Sequence, residues 1–277
     1  MGNICIIGPR SSGKTTYLAG LAYWPDQRRA NKKYAGFNIE ASGDDAKKLK
    51  IKAKEIIRAG AALEPTVVDK KAGINALPLY QFTIEIQRLF QKKEQINLVV
   101  RDYPGEIFDE LASSSNDPLH QEFIDECLVK DVLGCLILLP EWKRGTDDSY
   151  SLVLDRFTEL MDQHDRAKDF RVAVAMSKCE RGELWPGRLE PEIDLFGVHL
   201  RETKAILKKK ILPQNLRYYA LSTFGVLRRN DPRPNRIEEW GTDGRNSVLR
   251  EANRWQPYGM ISPLYWLSTG KRMREDA

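Results

Sequence analysis

The chain has 277 residues, of which 42% are hydrophobic, 30% charged and 9% aromatic, ordinary values for a globular protein that exclude a disordered, collagen-like or disulfide-stapled chain. Mean hydropathy is -0.49 and no apolar run approaches the ~18 residues of a membrane span. Forty-four Lys plus Arg against 39 Asp plus Glu give +5, a mild and evenly mixed excess that marks no nucleic-acid face.

The N-terminal residues lack the basic head and cleavage site of a signal peptide. Ile6 stands where a myristoylation signal needs Ser or Thr. A cytoplasmic location, with no DNA or RNA partner, is expected. Four cysteines form no C-x-x-C pair and His120, His164 and His199 lie far apart, so reduced thiols and no structural metal are expected. Cys5 and Cys135 lie in apolar runs and read as small buried hydrophobes.

Six strands are predicted in chain order, beginning with Asn3 to Ile7, which Gly8-Pro9 stops. Tyr80, Phe82, Ile84 and Ile86 alternate with polar residues, the period of a strand buried on one face. Ile96 to Val100, Val132 to Leu139, Arg171 to Met176 and Leu216 to Leu221 are more continuously apolar and read as central, mainly parallel strands. Between them, Ala46, Leu49, Ala53, Ile56 and Ile57 fall at helical spacing, with Gly60 as the C-cap. Leu152, Val153, Phe157, Leu160 and Met161 do the same. The alternation predicts an α/β three-layer fold, with a mainly parallel six-stranded sheet, one antiparallel edge strand and helical insertions. A single domain over 1–277 is expected, with insertions at about 25–78 and 224–256, the latter irregular because of its Pro, Gly, Arg and Asn content.

Gly8-Pro-Arg10-Ser11-Ser12-Gly13-Lys14-Thr15 follows the first strand and matches G-x-x-x-x-G-K-[ST], a phosphate-binding loop of P-loop NTPases. Its backbone amides form an anion nest, Lys14 reaches the β- and γ-phosphates, and the Thr15 hydroxyl serves Mg²⁺. Thr16 opens a helix whose dipole faces the phosphates. Asp102-Tyr-Pro-Gly105-Glu106 ends the third predicted strand. There Asp102 supplies the second metal-directed carboxylate and the Gly105 amide a donor to the γ-phosphate.

Ser177-Lys178-Cys179-Glu180 ends the fifth strand. Here the chain resembles the Ras-like and translation-factor class of GTPases, whose guanine loop reads [N/T]-K-x-D; Ser replaces Asn or Thr, and Glu replaces Asp. The resemblance implies that the Lys178 stem covers the purine and that Glu180 accepts from the guanine ring N–H and amino group. Ser222-Thr223-Phe224 matches the Ser-Ala-[Lys/Leu] position, where a backbone N–H, here that of Thr223, bonds the guanine carbonyl. Families of this class also use a Thr before the second strand to complete the Mg²⁺ shell. Thr66 is the only Thr between Tyr17 and Tyr80. Such enzymes place a water-orienting Gln where this chain has Glu106, which with Lys14 is the candidate catalytic pair. A carboxylate beside a polyanion implies slow intrinsic turnover or a side chain turned away.

Within the class the chain is most similar to bacterial double-GTPase-type proteins of conflict or defence operons, on its phosphate loop, Asp-Tyr-Pro-Gly-Glu and the closing Pro263-Leu-Tyr-Trp266-Leu. That implies a GTP/GDP switch acting on a partner protein, for which a second GTPase is a candidate. Two alternatives stay open: a nucleotide-gated scaffold with negligible hydrolysis, and an ATPase in which Ser177 to Glu180 is coincidental.

Overall fold

Alternation along each central strand sends successive side chains to opposite faces, and both faces are covered by helices. The strands β1 (Asn3–Ile7), β5 (Val132–Leu139), β6 (Arg171–Met176) and β7 (Leu216–Ala220) form a parallel sheet in the order β1-β5-β6-β7. Ile4, Ile6, Leu136, Leu138, Ala173 and Ala175 enter one core, with α1 (Lys14–Gln27) and α8 (Ser262–Thr269). Cys5, Ile7, Cys135, Ile137, Leu139, Val172, Val174 and Met176 enter the other. The helices α3 (Gly105–Glu110), α4 (Pro118–Leu128), α5 (Thr146–Gln163) and α7 (Arg201–Lys210) cover that face, so the three-layer expectation holds. The computed structural model describes residues 3–27, 37–55, 57, 73–87, 93–112, 118–143, 145–228, 230–241 and 244–273.

The six-stranded parallel sheet is corrected. β2 (Phe37–Ser42), β3 (Leu79–Ile86) and β4 (Glu94–Arg101) form a separate antiparallel sheet in that order, and β4 runs beside β1. Residues 96–100, read as a central parallel strand, therefore belong to the partner strand of β3. The short connection between β3 and β4 leaves no room for the crossover that parallel pairing requires. Tyr80, Phe82, Ile84 and Ile86 are buried as the alternation predicts. β2 went unread because polar Asn38 and Glu40 interrupt a run of only six residues.

The expected irregular stretch at 224–256 is also corrected. It contains two antiparallel pairs, β8 (Val226–Arg228) with β9 (Asp231–Pro234), and β10 (Arg236–Gly241) with β11 (Gly244–Leu249). Cross-strand pairing organises these polar residues, which carry no apolar alternation of their own.

α2 (Asp44–Lys54) buries Ala46, Leu49 and Ala53 as expected, whereas Ile56 and Gly60 lie outside the described residues. In α5, Val153, Phe157, Leu160 and Met161 are buried; Leu152 is exposed, and Leu154 takes the inward position. Trp255 and Trp266 are buried, the latter on α8 against the sheet. Cys5 and Cys127 form a disulfide, which corrects the expectation of thiols throughout; β1 and α4 bring them together across 122 residues, a distance no local spacing encodes. Cys135 and Cys179 are free and buried. Among the described residues, no helix is long and apolar enough to cross a membrane.

Candidate nucleotide site

The parallel strands end together at one rim, and the loops that leave them carry the site. β1 runs into Gly8, where a Cβ would stand 2.3 Å from the Leu138 carbonyl oxygen, so only glycine lets the loop leave the sheet here. Ser11 (φ 58°) and Gly13 (φ 89°) are left-handed. Such residues, interleaved with right-handed ones, turn successive amides toward one concavity, the geometry of an anion nest. The loop is braced by Ser12 N–H donating to the Pro9 carbonyl (3.2 Å) and Tyr17 N–H donating to the Gly13 carbonyl (2.8 Å). α1 begins at Lys14, and Thr15 and Thr16 fill its first turn.

Lys14 is 8% exposed, and its Nζ donates to the carbonyls of Gly8 (2.7 Å) and Pro9 (3.2 Å) and to Ser12 Oγ (3.4 Å). Burial pulls the ammonium down to about 8, against the opposing pull of Asp102, Asp109 and Glu106. The buried ammonium is held by loop oxygens, and the three acids favour its charged form at longer range.

Asp102 follows β4, and its N–H donates to the Pro78 carbonyl (3.0 Å). The Thr15 hydroxyl donates to Asp102 Oδ2 at 2.8 Å across 87 residues of sequence. This all-oxygen pair beside a phosphate nest fits Mg²⁺, which takes one or two protein oxygens, phosphates and water. Thr15→Ala and Asp102→Ala should therefore each weaken nucleotide binding about tenfold in Mg²⁺. EDTA should erase the difference from wild type in a matched titration; a wild-type affinity indifferent to EDTA contradicts the assignment.

Gly105 opens α3 directly on the phosphate loop. A Cβ there would lie 2.2 Å from Arg10 N and 2.6 Å from Pro9 C, both backbone. One residue on, Glu106 pairs with the Arg10 guanidinium, both side chains well exposed. The pair joins α3 to a cation that the loop from Gly8 to Thr15 itself carries. Asp109, one turn further, was missed by sequence reading. Burial pushes its carboxyl up, opposed by Lys14 and by the backbone N–H of Arg10. The signal was its helical spacing from Glu106, which puts both acids on the face that meets the loop.

The loop after β6 is bonded to the phosphate loop: Ser177 Oγ donates to the Ser12 carbonyl at 2.9 Å. Lys178 is left-handed (φ 57°), and its Cε lies 4.0 Å from where a Gly13 Cβ would stand. Its stem thus spans the loop, and burial, followed by repulsion from Arg236 and Arg181, lowers its ammonium to about 8. Glu180 is 1% exposed, and neither carboxylate oxygen has a hydrogen-bond partner; Arg236 Nη1 stands 3.4 Å away as an ion pair. Sequence reading missed Arg236 because it lies 56 residues downstream in the hairpin segment read as irregular.

Ser222 and Thr223 follow β7. Ser222 N–H donates to the Tyr258 carbonyl (2.9 Å), and its Oγ accepts from Gly225 N–H (2.7 Å), so Ser222 frames the loop. The Thr223 carbonyl accepts from Trp255 Nε1 (2.7 Å), and its methyl packs on Gly20 of α1.

Neither protein-family models nor curated proteins match the sequence. Solved structures similar to it include two guanine-nucleotide complexes. One is Sup35 complexed with GDP, at 11% identity and a TM-score of 0.32, over 80% of this chain but only 37% of that one. The other is the signal recognition particle receptor SRb-GTP/SRX complex from Chaetomium thermophilum, at 12% identity and a TM-score of 0.38, over 81% of this chain and 92% of that one.

Of the residues singled out in sequence, Gly8, Arg10, Ser11, Ser12, Gly13, Lys14, Thr15 and Thr16 form one loop and helix start. Asp102, Gly105 and Glu106 meet that loop, Lys178 crosses it, and Glu180 follows on the same segment. Thr66 lies outside the described residues.

Proposed function

We propose that the chain is a Mg²⁺-dependent guanine-nucleotide switch that binds GTP, hydrolyses it slowly to GDP and phosphate, and reports the bound state to a partner protein. The observation that supports this most directly is the buried Glu180 carboxylate, with two acceptor oxygens that carry no hydrogen bond, on a loop tied to the phosphate nest through Ser177. Guanine presents two donors on one edge, its ring N–H and amino group, and adenine has no such pair. Two buried acceptors next to a phosphate nest are matched by that edge.

In this reading the amides of the loop from Gly8 to Thr15 and the Lys14 ammonium hold the phosphates, and Lys178 covers the purine. Glu180 takes the two donors, and Thr223 N–H takes the guanine carbonyl. The Thr15 hydroxyl and Asp102 would hold Mg²⁺, which would supply neutralising charge at the phosphates. The Gly105 amide approaches the terminal phosphate, so its presence or loss moves α3, which is how the nucleotide state reaches a partner surface. The resemblance to double-GTPase-type proteins makes a second GTPase the first partner to try.

A nucleotide-gated scaffold with negligible hydrolysis is the second reading, favoured by the pairing of Glu106 with Arg10. Single-turnover assays on the protein alone separate the two.

The experiment that tests the base assignment is Glu180→Gln, which replaces one acceptor with a donor. GTP affinity should fall and xanthosine triphosphate affinity rise, each about tenfold, as one hydrogen bond turns from matched to opposed. Wild type should reject ATP. Equal affinity for ATP and GTP in wild type, or a ranking unmoved by the substitution, removes Glu180 from base recognition and leaves the ATPase reading.

A further inference from the structure

Glu180 does not act on its own element alone. The first residue of β10, Arg236, is buried beside it, with Nη1 3.4 Å from Glu180 Oε1 and Nη2 on Glu238. Arg181, adjacent to Glu180, reaches Glu238 (3.4 Å) and Glu141 (3.3 Å), so the base loop and the hairpin are joined by two crossed ion pairs. The hairpin root is fixed independently. Asn235, fully buried, donates its N–H to the Gly225 carbonyl (3.0 Å) and its Nδ2 to the Glu251 carbonyl (3.1 Å). Its Oδ1 accepts from Glu251 N–H (2.8 Å). Arg236 therefore projects from an anchored backbone.

A glutamate has one more rotatable bond than the aspartate found in related guanine loops, and both oxygens must lie in the plane of the base edge to accept two donors. That freedom has to be removed for the carboxylate to discriminate. Arg236 faces one oxygen as a charge without making a hydrogen bond to it, so it holds the group in place and leaves the lone pairs for a ligand.

We infer that Arg236 is a positioning residue for nucleobase specificity: from the β10–β11 hairpin it holds the Glu180 carboxylate so that both oxygens face the amino-bearing edge of guanine. This rests on the assignment of Glu180 as the base reader. The hairpin then belongs to the recognition machinery, and the purine with a 2-amino group is the favoured ligand.

The full-length protein is titrated with GDP, IDP and ADP, diphosphates that avoid turnover; IDP lacks only the 2-amino group. Wild type should prefer GDP over IDP by about tenfold, the discrimination expected of a site that pairs a donor its competitor lacks. Arg236→Gln should bring that ratio to within about twofold, with GDP losing clearly more affinity than IDP, since only GDP engages both oxygens. A merely structural role would weaken all three nucleotides alike and keep the ratio, which would overturn the inference. Arg236→Lys guards against misfolding: it keeps the charge but one ammonium cannot serve Glu180 and Glu238 together, so the ratio should fall about threefold. A wild-type ratio in a folded Arg236→Lys protein also overturns it. If wild type itself shows no preference among the three nucleotides, the base-reading assignment of Glu180 has failed, a result distinct from a wild-type preference that the Arg236 variants preserve.

Discussion

Lys14→Ala should raise the dissociation constant for GTP by at least about 100-fold, more than 2.7 kcal/mol, while the protein still folds. Lys14 is 8% exposed, and burial lowers its ammonium to about 8 in spite of three nearby acids. Its charge is thus disfavoured by its surroundings, and the Gly8 and Pro9 carbonyls it touches are loop groups that phosphates can replace as partners. The side chain serves a ligand more than the core. The same lowering gives a pH dependence with a definite sign. Phosphate binding favours the protonated amine, so above pH about 8 binding must take up a proton and affinity falls as pH rises. Calorimetric titrations from pH 6 to 9.5 on wild type and Lys14→Ala check both points. A variant that binds GTP as wild type does would remove the phosphate-loop assignment.

Gly105→Ala should cut single-turnover GTP hydrolysis at least about tenfold and leave GDP affinity within about threefold. The added Cβ would lie 2.2 Å from Arg10 N and 2.5 Å from Arg10 Cα, and backbone atoms cannot swing aside as a side chain can. α3 must retreat from the phosphate loop, which separates Glu106 from Arg10 and, in the proposed reading, takes the Gly105 amide from the terminal phosphate. In that reading the diphosphate lacks the group that would make the contact. A quenched-flow comparison with a parallel GDP titration decides the matter, and unchanged hydrolysis would mean that the seating of α3 on the loop plays no part in turnover.

Much of the site was legible because its chemistry is local. The phosphate loop needs its two glycines, Lys14 and Thr15 at fixed short spacings, since one continuous turn of backbone has to wrap one anion. Asp102 and Glu180 were picked out for a related reason: each follows an apolar strand, Asp102 after β4 of the antiparallel sheet and Glu180 after β6 of the parallel one. The buried alternation of Tyr80 to Ile86, and the strands 132–139 and 171–176, were likewise set by side-chain period.

What tertiary structure decided is which distant residues meet. β4 is continuously apolar enough to pass for a parallel central strand, and only its pairing with β3 reveals an antiparallel sheet. The hairpin β10–β11 has no apolar period to read, yet it carries Arg236 to Glu180. Arg10 meets Glu106 across 96 residues, and Cys5 meets Cys127 across 122. Residue type and spacing report the forces acting within one element, such as burial of one face and the turn around an anion. Ion pairs and cross-strand contacts depend on how whole elements pack. Any acid along the chain is an equally good partner for Arg236 until the hairpin is anchored at Asn235, and that anchoring selects Glu180 and Glu238.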